Sequence, residues 1–383
     1  MSVFRSRPAL RWLVPAAAAV VVIGGGAAAG TIVASADPSL PERSAAQLLV
    51  DVQNAKVDGF SGTVVQTADL GLPALPGVTS GADGAELMKL VAGSNTARVW
   101  YAGEDKARIA LMGTLGETDV IRNGSDVWMW RSADSSATHF KLPADRAGKV
   151  DRKPTALPSG VPSTPQEAAD AALAAIDPTT AVTTTGAAKV AGRDAYELVL
   201  TPRDTASLVG QVRLAIDAEQ HIPLGVDVYA KDANDPAVRV AFQQVSFEVP
   251  DAEQFTFNPP PGTKVTEPSA EDLAKEHNKA ITPEAAKEAE KQAAEAGTKV
   301  VGTGWTSVLV AKLPTGDDAK SGEAGGAAAG QLEAVIGALP KVSGSWGSGH
   351  LLTSALFSAL VTDDGRILVG AVAPEKLYEA AGK

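Results

Sequence analysis

AYELVLTPRDTASLVGQVRLAIDAEQHIPLGVDVYAK, residues 195–231, decides the fold. Apolar and polar positions alternate through it with a period of two. Tyr196, Leu198 and Leu200 share one side of a first strand (195–203). Val212, Leu214 and Ile216 share one side of a second (210–217), and Leu224, Val226 and Val228 one side of a third (223–231). A fourth run, AVRVAFQQVSFEV (237–249), sends Val238, Val240 and Phe242 the same way. Glu197, Arg213, Asp227 and Arg239 occupy intervening positions. A sheet with this pattern buries one face and wets the other.

Working towards the N-terminus, more short strands follow at close intervals: FSGTVVQT (60–67), TARVWYA (96–102), KARIALMG (106–113), ETDVIR (117–122), DVWMWRS (126–132) and THFKL (138–142). Asn123-Gly124 between two such runs is a strong hairpin signal. The connections are too short for parallel crossovers, so the strands read as one antiparallel meander of roughly ten. Arg98 and Arg108 mark outward faces. Val99, Tyr101, Ile109 and Leu111 are therefore expected inside.

Two helices are available to cover that sheet. PERSAAQLLVDVQNAK (41–56) places Ala45, Leu48, Leu49 and Val52 on one stripe. SGVPSTPQEAADAALAAI (159–176) offers Ser163 or Thr164 as a cap and Pro165 in the first turn. They supply less apolar surface than so wide a sheet presents. Either the sheet closes into a barrel with a packed interior, or an apolar cavity suited to acyl chains remains beneath the helices. The strand DVWMWRS is apolar on both faces, with Trp128 and Trp130 on one and Val127 and Met129 on the other. Two readings stay open. It is a central strand packed by a loop such as 71–82, or one of its faces lines the cavity, a role to which Met129 is suited.

The rest of the chain sets boundaries. It has 383 residues, a net charge of −11 and no cysteine. That excludes disulfides, thiolate catalysis and a lipid-modified cysteine anchor, and disfavours nucleic acid as a partner. Arg5, Arg7 and Arg11 precede an uncharged run from Trp12 to Ala36. A run longer than about 18 residues can span a bilayer, with the arginines held in the cytoplasm. The expectation is a single-pass helix in the cell membrane with the bulk of the chain extracytoplasmic. Alternatively, the run is a signal peptide cleaved after Ala36, and the protein is secreted. Residues 267–299, rich in Ala, Glu and Lys, read as a solvated helical linker, and 300–383 as a small α+β unit. In that unit GWTSVLVAKL (304–313), HLLTSALFSALVT (350–362) and ILVGAV (367–372) read as strands, and QLEAVIGAL (331–339) as a helix. His139, His221, His277 and His350 each stand alone, and no nucleophile elbow or phosphate loop occurs. No catalytic constellation, metal site or cofactor site is expected.

Helix, FSGTVVQT, meander with DVWMWRS, second helix, alternating strands and the closing QFTFNPPPGTKV (254–265) together resemble the LolA-like lipoprotein-carrier superfamily over about residues 42–266. That superfamily includes the large domain of RseB-type periplasmic regulators. The resemblance implies a curved, unclosed antiparallel half-barrel with a helical lid, around a cavity that binds lipid or lipoprotein acyl chains. On this reading the lining comes from Val99, Tyr101, Ile109, Leu111 and Met129 in the first half. In the second half it comes from Tyr196, Leu198, Leu200, Val212, Leu214, Ile216, Val226, Val228, Val240 and Phe242. The membrane tether and the extra C-terminal unit depart from a shuttling carrier. The two-unit layout is closer to a regulator, in which a lipid-sensing domain precedes a smaller unit that contacts a membrane-protein partner.

Overall fold

The computed structural model describes residues 33–34, 40–73, 92–113, 116–142, 165–268, 298–312 and 335–382. In chain order the first sheet comprises β1 (Val33–Ala34), β2 (Phe60–Asp69), β3 (Ala92–Tyr101), β4 (Lys106–Met112), β5 (Glu117–Asn123), β6 (Asp126–Arg131) and β7 (Ser136–Lys141). It continues with β8 (Thr180–Val190), β9 (Arg193–Pro202), β10 (Val209–Asp217), β11 (Pro223–Ala230), β12 (Pro236–Ser246) and β13 (Lys264–Thr266). Helix α1 (Ala45–Asn54) lies between β1 and β2, and α2 (Pro165–Ile176) between β7 and β8.

The lateral order is β1-β8-β9-β10-β11-β12-β2-β3-β4-β5-β6-β7-β13. This is not the single meander the spacing predicts. Two meanders, β2–β7 and β8–β12, are joined because β12 returns to pair with β2. That pairing brings together residues far apart in sequence, which local spacing does not encode. β7 and β8 end up near opposite edges, so the sheet does not close and the barrel alternative fails. Each edge is capped by a short strand: β1 antiparallel to β8, and β13 parallel to β7. Short edge strands limit further pairing with other chains.

Three strands of this sheet were not expected. β8 (TAVTTTGAAKV) lacks an apolar alternation and relies on β-branched threonines. Its register shifts between Thr185 and Ala188, where the Gly186 carbonyl accepts the Leu40 N–H at 3.1 Å. β13 begins directly after the three prolines that end the preceding structure. β1 departs from the expected membrane helix. Val33 and Ala34 pair with Lys189 and Ala188 as a strand, consistent with the preference of valine for extended backbone. The rest of the segment 12–36 lies outside the described residues. Among the described residues no helix is long and apolar enough to cross a membrane.

Local chemistry fixes α1. Ser44 Oγ accepts the Gln47 N–H and Gln47 Oε1 accepts the Ser44 N–H, a reciprocal capping box. The expected cap of α2 at Ser163 or Thr164, the linker beyond residue 268 and most of the loop 71–82 lie outside the described residues.

A second sheet follows: β14 (Lys299–Val301), β15 (Val308–Lys312), β16 (Lys341–Gly344), β17 (Gly347–Thr353), β18 (Ser358–Thr362) and β19 (Arg366–Gly370), in the order β14-β15-β19-β18-β17-β16. Residues 335–338 are helical, whereas 331–334 lie outside the described residues. The run 350–362, read as one strand, is broken into β17 and β18 by a turn in which Ser354 Oγ accepts the Leu356 and Phe357 N–H groups. The segment expected to open with a strand at 304 first makes a 3-10 turn, Gly304–Thr306. Helix α3 (Pro374–Ala381) buries Leu377 against Val310, Leu360, Leu368 and Val372.

This second unit seats on one end of the first sheet. Leu208 N–H donates to Ala371 O at 2.9 Å, Ala355 N–H to Leu70 O at 2.7 Å, and Trp305 Nε1–H to Thr180 Oγ1 at 2.8 Å. Ser207 forms a bridge with Val372, and both are buried. The contacts use the ends of β2 and β9 and the starts of β8 and β10.

Candidate ligand cavity

The strand registers decide which side chains share a face. Leu198, Leu214, Val226 and Val240 form one lateral row across β9–β12, and Leu200, Val212, Val228 and Val238 the next. Phe242 stands opposite Val64, and Val64 opposite Ala97 and then Leu111. Val99, Ile109, Val120 and Met129 form a row across β3–β6. Tyr196 faces Ile216, and Tyr101 faces Phe60. Every residue expected to line a cavity therefore lies on one side of the sheet, the inner side.

Helix α1 covers only part of it. Leu48, fully buried, packs on Tyr196 and Ile216, with Leu214 and Val52 at the margin. The Thr184 hydroxyl donates to Arg43 O at 2.7 Å and fixes the start of α1 over β8. α2 packs on α1. Among the described residues no such helix packs on the inner face of β2–β6. Val99, Ile109 and Leu111 remain half-buried there, and Met129 is 42% exposed.

At the seam between the covered and uncovered parts lies an apolar cavity of about 370 Å³. Phe60 and Val64 from β2, Val99 and Tyr101 from β3, and Ile109 from β4 line one side; Val226, Val240 and Phe242 line the other. The lining crosses five adjacent strands, roughly 19 Å at the usual spacing. A flat strip that wide could not enclose so compact a space, so the sheet curves around it. Phe60 stacks on Tyr101 at 5.4 Å and meets Phe242 edge-on at 6.2 Å. These three rings wall the end of the cavity away from the second unit.

Six of the expected lining residues meet at this cavity. Tyr196, Leu214 and Ile216 instead pack under α1. Leu111, Met129, Leu198, Leu200, Val212 and Val228 lie on the same face beyond it. Phe60 and Val64 were missed. Their signal was present in FSGTVVQT, where Phe60, Gly62 and Val64 occupy alternate positions. Trp128 and Trp130 point the other way. Both rings meet Phe257, at 5.2 and 5.9 Å, under the segment that follows β12. The tryptophans are packed by a crossing segment, the one that carries Phe257, whereas the loop 71–82 lies mostly outside the described residues. Met129 faces inward but lies beyond the residues that line the cavity.

The outer face carries the charge. Asp227, fully buried, accepts two hydrogen bonds from Arg239 at 2.8 and 2.7 Å. Asp217 is gripped by Arg193 and by the backbone N–H groups of Glu219 and Gln220. Burial alone would raise the Asp217 carboxyl, but those bonds hold it below the ordinary carboxylate value. Burial and the Asp227 charge push the Tyr229 hydroxyl up. His139, which stands alone in sequence, stacks on Trp128 at 4.1 Å and meets Asp126 Oδ1 at 2.9 Å and Glu267 Oε1 at 3.2 Å. The His139 bond lowers the Asp126 carboxyl. This constellation forms only because the β6–β7 hairpin places Trp128 opposite His139. Among the described residues no group of three or more His, Asp or Glu could hold a metal ion.

Fold and cavity define a class: an open antiparallel half-barrel, partly lidded by helices, with a second α+β unit on one end. No family model matches the chain, and no curated protein does. Among solved structures it is similar to MucB, at 15% identity over 88% of this chain and 96% of that one, with a TM-score of 0.36. It is also similar to the MucA/MucB complex of Pseudomonas aeruginosa, at 14% identity over 88% and 96%, with a TM-score of 0.39. A LolA superfamily protein of Nitrosomonas europaea matches at 13% identity over 56% and 99%, with a TM-score of 0.20. At these identities and scores the functional reading rests on the cavity itself.

Proposed function

We propose that this chain is a non-catalytic, extracytoplasmic protein of the cell envelope that binds lipid or lipoprotein acyl chains in the cavity between β2–β4 and β11–β12. The observation that carries this reading is the mismatch, among the described residues, between apolar inner face and helical cover, which leaves about 370 Å³ of apolar space. That volume lies within the range of ligand pockets, about 300–1,000 Å³. Each methylene of a chain entering it gains about 0.8 kcal/mol. The resemblance to LolA-like carriers agrees with this reading, and the N-terminal apolar segment, whether a retained anchor or a signal peptide cleaved after Ala36, would direct the protein out of the cytoplasm.

Displacement of a fluorescent fatty acid tests it. The full chain should bind the probe saturably, and Ile109→Trp, which puts an indole in the middle of the lining, should weaken binding at least tenfold while Leu309→Ser does not. Equal binding by the parent chain and Ile109→Trp would sink the reading. A second reading, an envelope sensor that passes lipid occupancy to a membrane-protein partner through residues 300–383, is favoured by Val300 and Leu309. These side chains face each other on the second sheet and are 63% and 46% exposed. Leu309→Glu should then remove a crosslinked partner without changing probe binding.

A further inference from the structure

The outer face of the central strands holds a second concavity of different chemistry. Two lateral rows cross β12, β2 and β3: Ser246, Ser61 and Trp100 in one, Gln244, Thr63 and Arg98 in the other. They line a groove of about 380 Å³. A backbone irregularity builds it. Strict alternation would send Gln244 inward with Val240 and Phe242. A β-bulge between Phe242 and Gln244 turns Gln244 and Ser246 outward instead. Gly62 makes this possible, because a Cβ there would lie 2.5 Å from Gln244 O and 2.8 Å from the Phe242 ring.

On both flanks of the groove the arginines are engaged with carboxylates. On one side Arg239 and Arg193 hold the carboxylates of Asp227 and Asp217. On the other, Arg108 holds Asp119 and donates to Gln254 O at 3.4 Å, while Ala252–Phe255 packs on β4 and β5. Between them the side chains of Ser61, Thr63, Arg98 and Gln244 make no hydrogen bond or ion pair among the described residues. Arg98 is exposed, and Glu117 feels its charge without pairing with it. The Arg108 guanidinium, 5.2 Å from the Trp100 ring centre, steadies the indole at the groove's edge.

We infer that this groove binds an acidic saccharide. An indole offers a flat apolar surface for the C–H face of a sugar ring. Hydroxyl and amide groups can each donate and accept, matching sugar hydroxyls. The Arg98 guanidinium, exposed and without an ion pair among the described residues, presents a planar fork to a carboxylate. No buried charge or metal is needed.

The test uses the full chain and two sugars that differ in one group, glucuronate and glucose, titrated by heteronuclear NMR. Saturable shifts should centre on β12, β2 and β3, with glucuronate the tighter ligand. Arg98→Gln should weaken glucuronate about tenfold and leave glucose unchanged, the loss of one charge-assisted contact. Trp100→Leu should weaken both sugars, and Ile109→Trp in the inner cavity should alter neither. Absence of saturable shifts at millimolar sugar overturns the inference. So does unchanged glucuronate binding in Arg98→Gln, or inorganic phosphate binding as tightly as glucuronate. Comparing free glucuronate with the same sugar displayed on glycolipid vesicles identifies the source: tighter vesicle binding indicates a membrane glycolipid, and equal binding a soluble glycan.

Discussion

The two arms of the large sheet are covered on opposite faces. In the arm β8–β12, helix α1 covers the inner face of β9 and β10 through Leu48, and ion pairs line the outer face. In the arm β2–β7, the segment carrying Phe255 and Phe257 covers the outer face of β4–β6, and the inner face is left partly open among the described residues. The apolar cavity lies where the two arrangements meet, at the β12–β2 pairing. Neither arm alone would make it: a fully lidded sheet has no vacancy, and a fully open one has no wall.

Five substitutions sharpen or break this contrast. The largest effect belongs to the ion-paired outer face. Asp227→Ala leaves Arg239 without its buried partner and should reduce stability by about 3–5 kcal/mol in urea unfolding. A loss within 0.5 kcal/mol would mean that the pair is solvated after all. Next comes the inner face. Leu48→Ala, under the helix, should lower stability by about 2–5 kcal/mol. Met129→Ala on the open arm should stay within about 1 kcal/mol. Equal losses would erase the distinction between lidded and open arms.

Phe257→Ala should remove about 1–2 kcal/mol, because the ring is half-buried against two indoles. The same change should red-shift tryptophan emission as Trp128 and Trp130 meet water. An unchanged spectrum would argue against the outer cover. The smallest effect is acid-dependent. Asp217 titrates lower folded than unfolded, so its contribution is complete above the ordinary Asp value of 3.8 and disappears as pH falls below it towards the folded value. Asp217→Asn should therefore flatten the stability–pH curve in that window. A curve parallel to that of the parent chain would remove Asp217 from the acid limb.

Much of this was written locally. The alternation in residues 195–249 predicted four strands and their apolar face, and the registers place Leu198, Leu214, Val226 and Val240 in one row. Arg98 and Arg108 marked the outward sides of β3 and β4, which put Val99 and Ile109 inside. β8 escaped notice because threonines in TAVTTTGAAKV carry little apolar contrast. Gln244 could not be assigned a side, because the bulge before it breaks the period of two that such an assignment depends on. His139 looked isolated because its partners Asp126 and Glu267 reach it across a hairpin and from 128 residues away.

Sequence alone determined the positions of ten strands of the large sheet, the one-sided apolar pattern, the two helices and the absence of cysteine chemistry. These follow from short-range periodicity and composition, which each segment carries by itself. Only tertiary structure decided that β12 returns to β2, that α1 covers one arm while Phe257 covers the other, and that Phe60, Tyr101 and Phe242 meet around a cavity. Such pairings depend on which distant surfaces fit together, and free energy of that kind belongs to the contact and not to either strand.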